Sequence, residues 1–299
     1  MESIAEVLEA AVRLAPAGPR GLSAPRALQS WPGIVHGGAV VALLDAAASR
    51  LGIVSGPRFL EGRLTSSLPL EKELGLESEP WLQGVTLTVR HRGQVVSSGT
   101  IGPESPAGPV IGEHESLARD GAQATSLWRG GTDGDPLPMS DDCLACGGRN
   151  PLGLRIGLRF DDDGVWTRFT PSARWRAPRG GVHRAVVPVV LDEVAWWLGA
   201  LVAKEGGVTN RITVAMNATD LPPGEPLVAA GRFDDVTPID KRRTFWRTRC
   251  ALSTAAGTPL ATASIVFRGG PEYSSRQLAY FRNRTPAAVF RRMFPAHAD

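Results

Sequence analysis

An internal repeat limits what this chain can fold into before any motif is read. Placing His36 over His183, an offset of 147, lays VHGGAVVALLDAAA (residues 35–48) over VHRAVVPVVLDEVA (182–195). Val-His, two variable positions, an apolar run and an Asp recur in register, and Gly33 faces Gly180 upstream. The period is too long for a solenoid and fits a duplicated domain of about 120–150 residues. Each apolar run is apolar nearly all round, which suits a buried helix. The pattern predicts helices over 39–50 and 186–203. Pro188 then falls in the first turn of the second, where its missing N–H costs little.

The segments after each helix read as strands. In the second half these are RITVAMNAT (211–219), PLVAAGRFDDV (226–236), RTFWRTRCALST (243–254) and TPLATASIVFR (258–268). Ahead of the helix, LGLRIGLRF (152–160) and GVWTRFTP (164–171) form a hairpin around DDDG. The first half is thinner. GRLTSSLPL (62–70), EPWLQGVTLTVRHRG (79–93) and QVVSSGTIG (94–102) are its strands, and no hairpin is expected before its helix. The chain opens on MESIAEVLEAAVRLAPAG, an amphipathic helix by its apolar spacing. The Gly/Pro/Asp/Ser-rich stretch between the halves reads as a linker. The expected division is 1–103, a linker over 104–142, 143–270, and a C-terminal tail over 271–299. The class is α+β.

Composition excludes several functions. Net charge is +3 with pI near 9.0, too mild to argue for nucleic acid. No apolar run approaches the roughly 20 residues of a membrane span, and no signal peptide is read at the start. Three cysteines make no disulfide framework, so the cytoplasm is the expected compartment. Cys143 and Cys146 lack a second pair at ligand spacing, so no metal and no cofactor is expected, and Cys250 belongs to a core strand.

Two stretches carry a resemblance. His36, Gly37, Gly38 and then Asp45 resemble the His-Gly-Gly and downstream acid of hotdog-fold thioesterases, in particular the phenylacetyl-CoA thioesterase-like branch. CLACGGRNPLGLRI (143–156) resembles the Cys-x-x-Cys-Gly…Asn-Pro-x-Gly-Leu opening of many such domains. Arg184 departs from the pattern. The resemblance implies a double hotdog: two long central helices, each wrapped by a curved antiparallel sheet, with the halves paired into one continuous sheet. It implies hydrolysis of acyl-CoA or carrier-protein-bound acyl groups, and leaves room for a homodimer of such pseudo-dimers.

Thioester hydrolysis builds negative charge on a carbonyl oxygen, which a backbone N–H at a helix N-terminus can answer. Glycine lets a carbonyl approach that backbone, which suits Gly37 and Gly38. A carboxylate then attacks or activates water. Gly37 and Asp45 lie about 12 Å apart along one helix at 1.5 Å per residue, so one carbonyl cannot touch both. The expected sites are therefore composite. The first joins Gln29, His36 and Gly37 to Asp192; the second joins Arg176, His183 and Arg184 to Asp45 and Ser49. The resemblance gives Gln29 a positioning role and marks Ser49 as a position some hotdog thioesterases use. The first site keeps the better oxyanion end, with Asp192 as base or nucleophile. His36 and His183 also read as structural turn residues. Trp196 and Trp197 line a pocket or the core. Arg242 and Arg243, in the basic segment 240–249, are candidates for CoA phosphates or for an acidic carrier surface, with a solvated hairpin tip as the alternative. Two other functions stay open: a biosynthetic tailoring enzyme catalysing cyclisation, dehydration or chain release, and a non-catalytic acyl-thioester binder.

Overall fold

The computed structural model describes residues 2–13, 20–53, 57–81, 83–103, 126, 134–217 and 221–298. Its helices are α1 (Ile4–Ala11), α2 (Gly37–Arg50), α3 (Val186–Ala203), α4 (Pro271–Arg282) and α5 (Ala287–Met293). The first-half strands are β1 (Val12–Arg13), β2 (Arg20–Leu22), β3 (Arg58–Leu64), β4 (Leu74–Trp81), β5 (Gly84–His91) and β6 (Gln94–Gly102). The rest are β7 (Asp135–Pro136), β8 (Arg159–Phe160), β9 (Gly164–Phe169), β10 (Gly207–Met216), β11 (Leu227–Arg232), β12 (Thr237–Pro238), β13 (Phe245–Thr254) and β14 (Pro259–Gly269).

All of these strands join one antiparallel sheet, in the order β1-β2-β4-β5-β6-β3-β10-β14-β13-β11-β9-β8-β7, with β12 paired to β13. The seam between the halves is β3 against β10, running from Arg58 opposite Met216 to Arg63 opposite Arg211. The two halves thus share one sheet, as the resemblance implies. α2 packs on β3, β5 and β6, while α3 packs on β9, β10, β11, β13 and β14, and the two helices touch each other. This explains why α3 is apolar on every side: 14 of its 18 residues are buried. By length and composition α3 could cross a membrane, but here the sheet and α2 cover it.

Several local expectations change. α2 begins at Gly37 rather than Ala39, so both glycines lie in its first turn. The stretch 79–93 is not one strand; β4 and β5 turn back on each other within it, with Trp81 opposite Gly84. A short antiparallel pair, β1 and β2, does precede α2. Its strands are too short to show an alternating pattern. The expected tail folds into α4 and α5, whose Leu278, Phe281, Phe290 and Met293 are buried. The expected linker falls largely outside the described residues. α1 forms as expected, closed by a capping box between Ser3 and Glu6.

Candidate active site

α2 starts from His36, its N-cap, in extended backbone at φ −60° and ψ 135°. The Gly37 N–H has no acceptor among the described residues, and Gly37 lines a cavity. The helix dipole adds partial positive charge at that end. α3 crosses α2 here. A Cβ built on Gly38 would lie 2.1 Å from the Pro188 carbonyl oxygen and 2.7 Å from Val189 Cα. Only glycine allows backbones so close. One turn along from Pro188, Asp192 therefore lands on the N-terminus of α2. A Cβ on Gly37 would lie 2.7 Å from Asp192 Oδ2. The Cβ side of each glycine is thus filled, by α3 backbone at Gly38 and by the Asp192 carboxylate at Gly37.

Asp192 is buried and held on both oxygens. Oδ2 accepts the Gly38 N–H at 2.8 Å, and Oδ1 accepts the Thr209 hydroxyl at 2.6 Å. His36 Nδ1 lies 3.3 Å from Oδ2 and also 3.1 Å from the Gly38 nitrogen. Burial raises the Asp192 carboxyl above the ordinary range, while His36, Thr209 and Gly38 pull it back. On the other side of the ring, His36 Nε2 is 3.1 Å from Glu193 Oε2, and Cys143 Sγ is 3.8 Å from the same oxygen. Burial alone would lower His36. Hydrogen bonds to Cys143 and Glu193 and the nearby charges lift it well above the usual imidazole value. The Cys143 thiol is lowered to about 7, chiefly by its hydrogen bond with Cys146, against burial and Glu193.

These groups form the polar end of a cavity of about 350 Å³ that draws on both halves. Trp31, Leu64, Trp196, Trp197 and Phe281 give it apolar walls. Trp196 is fixed by its Nε1 hydrogen bond to the Gly207 carbonyl at 3.0 Å and by edge contacts with Trp197 and Phe281.

No family model and no curated protein matches the chain. Solved structures do. A conserved protein of unknown function with hot dog fold from Alicyclobacillus acidocaldarius superposes with TM-score 0.56 at 14% identity, over 90% of this chain and 99% of that one. The fold is a double hotdog. The acyl-CoA thioesterase II TesB2 of Mycobacterium marinum has the same scaffold, with TM-score 0.54 and 13% identity over 90% and 100% of the two chains. So does the dehydratase domain of the CurJ module of curacin polyketide synthase, with TM-score 0.54 and 13% identity over 88% and 97%.

The repeat gives this double hotdog a second composite position, built very differently. The Arg184 guanidinium pairs with Asp45 and donates to Ser49. Arg58, 2% exposed, sets its Nε 3.6 Å from the other Asp45 oxygen and donates to Ser49 at 3.4 Å. The Ser49 hydroxyl donates to the Asp45 carbonyl at 2.9 Å. Asp45 thus sits in a buried Arg–Asp–Arg cluster, with the Arg184 side chain standing where the first half has Gly37. His183 repeats the turn of His36, its Nδ1 accepting the Ala185 N–H at 3.2 Å. Gln29 and Arg176 are also equivalent, each bridging to the valine before its histidine. Gln29 is buried and its carbonyl accepts the Leu144 N–H at 2.8 Å, but it does not line the cavity. Arg242 and Arg243 line a separate cavity with Trp246, Glu205 and Glu272. The segment 268–273 contributes Arg268 and Tyr273 to the first cavity and Gly269 to Glu272 to the second.

Thr209, Glu193 and Arg58 were not singled out from the sequence, and Cys143 was weighed only with Cys146 and set aside. Glu193 had a signal, a second acid inside an apolar helix. Arg58 and Thr209 had none.

Proposed function

We propose that the chain is an acyl-thioester hydrolase acting on acyl-CoA or acyl-carrier-protein thioesters. The observation that carries this reading is the meeting of Asp192, from one half, with the unpaired helix N-terminus at Gly37, from the other, at the polar end of an apolar cavity. The acyl chain lies along the tryptophan walls. The thioester carbonyl points to the Gly37 N–H, which stabilises the oxyanion as it forms. Asp192, oriented by Thr209 and Gly38, takes a proton from water as the water attacks. The carbon–sulfur bond breaks, Asp192 returns its proton to the leaving thiolate, and acid and free thiol depart. Asp45 stays a structural ion in this reading. Arg242 and Arg243 would meet CoA phosphates or an acidic carrier surface through their forked donors.

One observation favours a second reading. His36 and Asp192 come from opposite halves and stand 3.3 Å apart, an imidazole–carboxylate pair suited to removing an α-proton and a β-hydroxyl. A thiol-release assay over acyl-CoAs of increasing length, run beside 3-hydroxyacyl-CoAs followed for enoyl absorbance, separates the two. Thiol release from saturated acyl-CoAs supports hydrolysis. Enoyl formation without thiol release would replace it with dehydration.

A further inference from the structure

Two thiols alone gave no ligand set in the sequence, but folding brings other ligand types to one of them. His36 Nε2, Cys143 Sγ and a Glu193 carboxylate oxygen lie within 4.8 Å of one another, from the N-cap of α2, the loop before β8, and α3. Zinc bonds of about 2.0–2.1 Å to nitrogen or oxygen and about 2.3 Å to sulfur imply tetrahedral edges of about 3.3–3.6 Å. The edges here are 3.1 Å from Nε2 to Oε2 and 3.8 Å from Sγ to Oε2. One edge is a little shorter and the other a little longer than these, and Nε2 and Sγ lie within 4.8 Å of each other.

The surroundings agree. His36 Nε2 points to Glu193 at 3.1 Å, while its Nδ1 lies 3.1 Å from the Gly38 nitrogen and 3.3 Å from Asp192 Oδ2. The Ala145 N–H points at Cys143 Sγ at 3.3 Å, which favours a thiolate. Two carboxylates and a thiol surround one imidazole in a site where His36 is 1% and Cys143 2% exposed. Mixed nitrogen, sulfur and oxygen donors suit zinc and its neighbours, and are poor for magnesium or calcium. All three residues line the cavity, so a fourth coordination position faces it.

We propose that His36, Cys143 and Glu193 form a three-ligand site for one divalent transition-metal ion, zinc by donor type, with its open position toward the cavity. The ion takes the place of the proton between His36 and Glu193, so binding releases protons. The site goes beyond the hydrolase reading and stands without it.

The test is a cobalt(II) titration of the full chain, stripped with chelator and kept reduced, followed by absorption. The expected result is an equimolar end point with a thiolate-to-cobalt charge-transfer band and the visible bands of four-coordinate cobalt. Cys143→Ser should remove the charge-transfer band, and Glu193→Gln should weaken binding at least about tenfold. Cys146→Ser and Cys250→Ser should keep the band. Circular dichroism checks folding; if Cys143→Ser does not fold, Glu193→Gln decides. No binding, a band that survives Cys143→Ser, unchanged affinity in Glu193→Gln, or a band that depends on Cys146 or Cys250 would each overturn the assignment. No substrate is present, so a chain that binds cobalt but hydrolyses nothing keeps this site and loses the hydrolase reading; the converse result does the reverse.

Discussion

Replacing Gly38 by alanine and, separately, Gly37 by alanine should damage the protein in opposite ways. A Cβ on Gly38 meets the Pro188 carbonyl oxygen at 2.1 Å, 1.3 Å short of the 3.4 Å where ordinary contact begins. The atoms it meets are backbone of a buried helix, so α2 and α3 must part. Overpacking costs about 1–3 kcal/mol and occasionally more, and a backbone contact this short belongs at the upper end. At about 2–4 °C per kcal/mol for a large domain, Tm should fall by roughly 6–12 °C. A Cβ on Gly37 meets Asp192 Oδ2 at 2.7 Å, only 0.7 Å short of the same limit. A carboxylate at the end of a side chain can move, and alanine is the better helix former by about 0.5–1 kcal/mol. Tm should stay within about 2 °C. The carboxylate, however, is displaced from its working position, and kcat should fall by about 10- to 100-fold. Calorimetry and thiol release on the same preparations read both effects. Gly38→Ala with the wild-type Tm would refute the helix-crossing argument. Gly37→Ala with the wild-type kcat would refute the placement of Asp192 as the working acid.

Thr209→Val keeps the shape but loses the hydroxyl that donates to Asp192 Oδ1 at 2.6 Å. It should lower kcat about tenfold while costing only about 1 kcal/mol in urea unfolding; an unchanged kcat would deny Thr209 its positioning role. Asp45→Asn leaves Arg58 and Arg184 buried without their carboxylate. A loss of about 3–5 kcal/mol is expected in the same unfolding measurement, and a wild-type midpoint would show that the cluster contributes nothing. Trp196→Leu enlarges the apolar end of the cavity and should move the kcat/KM optimum to longer acyl chains. An unshifted chain-length profile would mean the acyl group lies elsewhere.

The repeat at His36 and His183 placed two buried helices in equivalent halves, and the resemblance supplied the one shared sheet that covers them. Asp192 was legible for a related reason: a carboxylate inside such a helix must face something polar, and helix length forbids a partner on its own helix. What stayed hidden depended on tertiary approach. The Gly38 contact with Pro188 is set by the crossing of two distant segments, so the sequence suggested substrate access instead. Arg184 was expected to join Asp45 in a second site, but nothing local announces that Arg58, 126 residues earlier, shares Asp45 with it. The turn between β4 and β5 has a glycine only at the start of β5, so the hairpin read as one long strand. The contact of Phe281, on α4, with Trp31 and Trp196 exists only in the fold.

The central claim is that one composite position, across Gly37 and Asp192, is catalytic and its counterpart at Asp45 is structural. It is tested most directly by kcat for thiol release from acyl-CoA, measured on Asp192→Asn and Asp45→Asn and corrected for the folded fraction of each. The account predicts a loss of about 10²-fold or more in Asp192→Asn, in the range of a general base, with most of the activity per folded molecule kept in Asp45→Asn. Equal losses in the two variants, or a larger loss in Asp45→Asn, would contradict it.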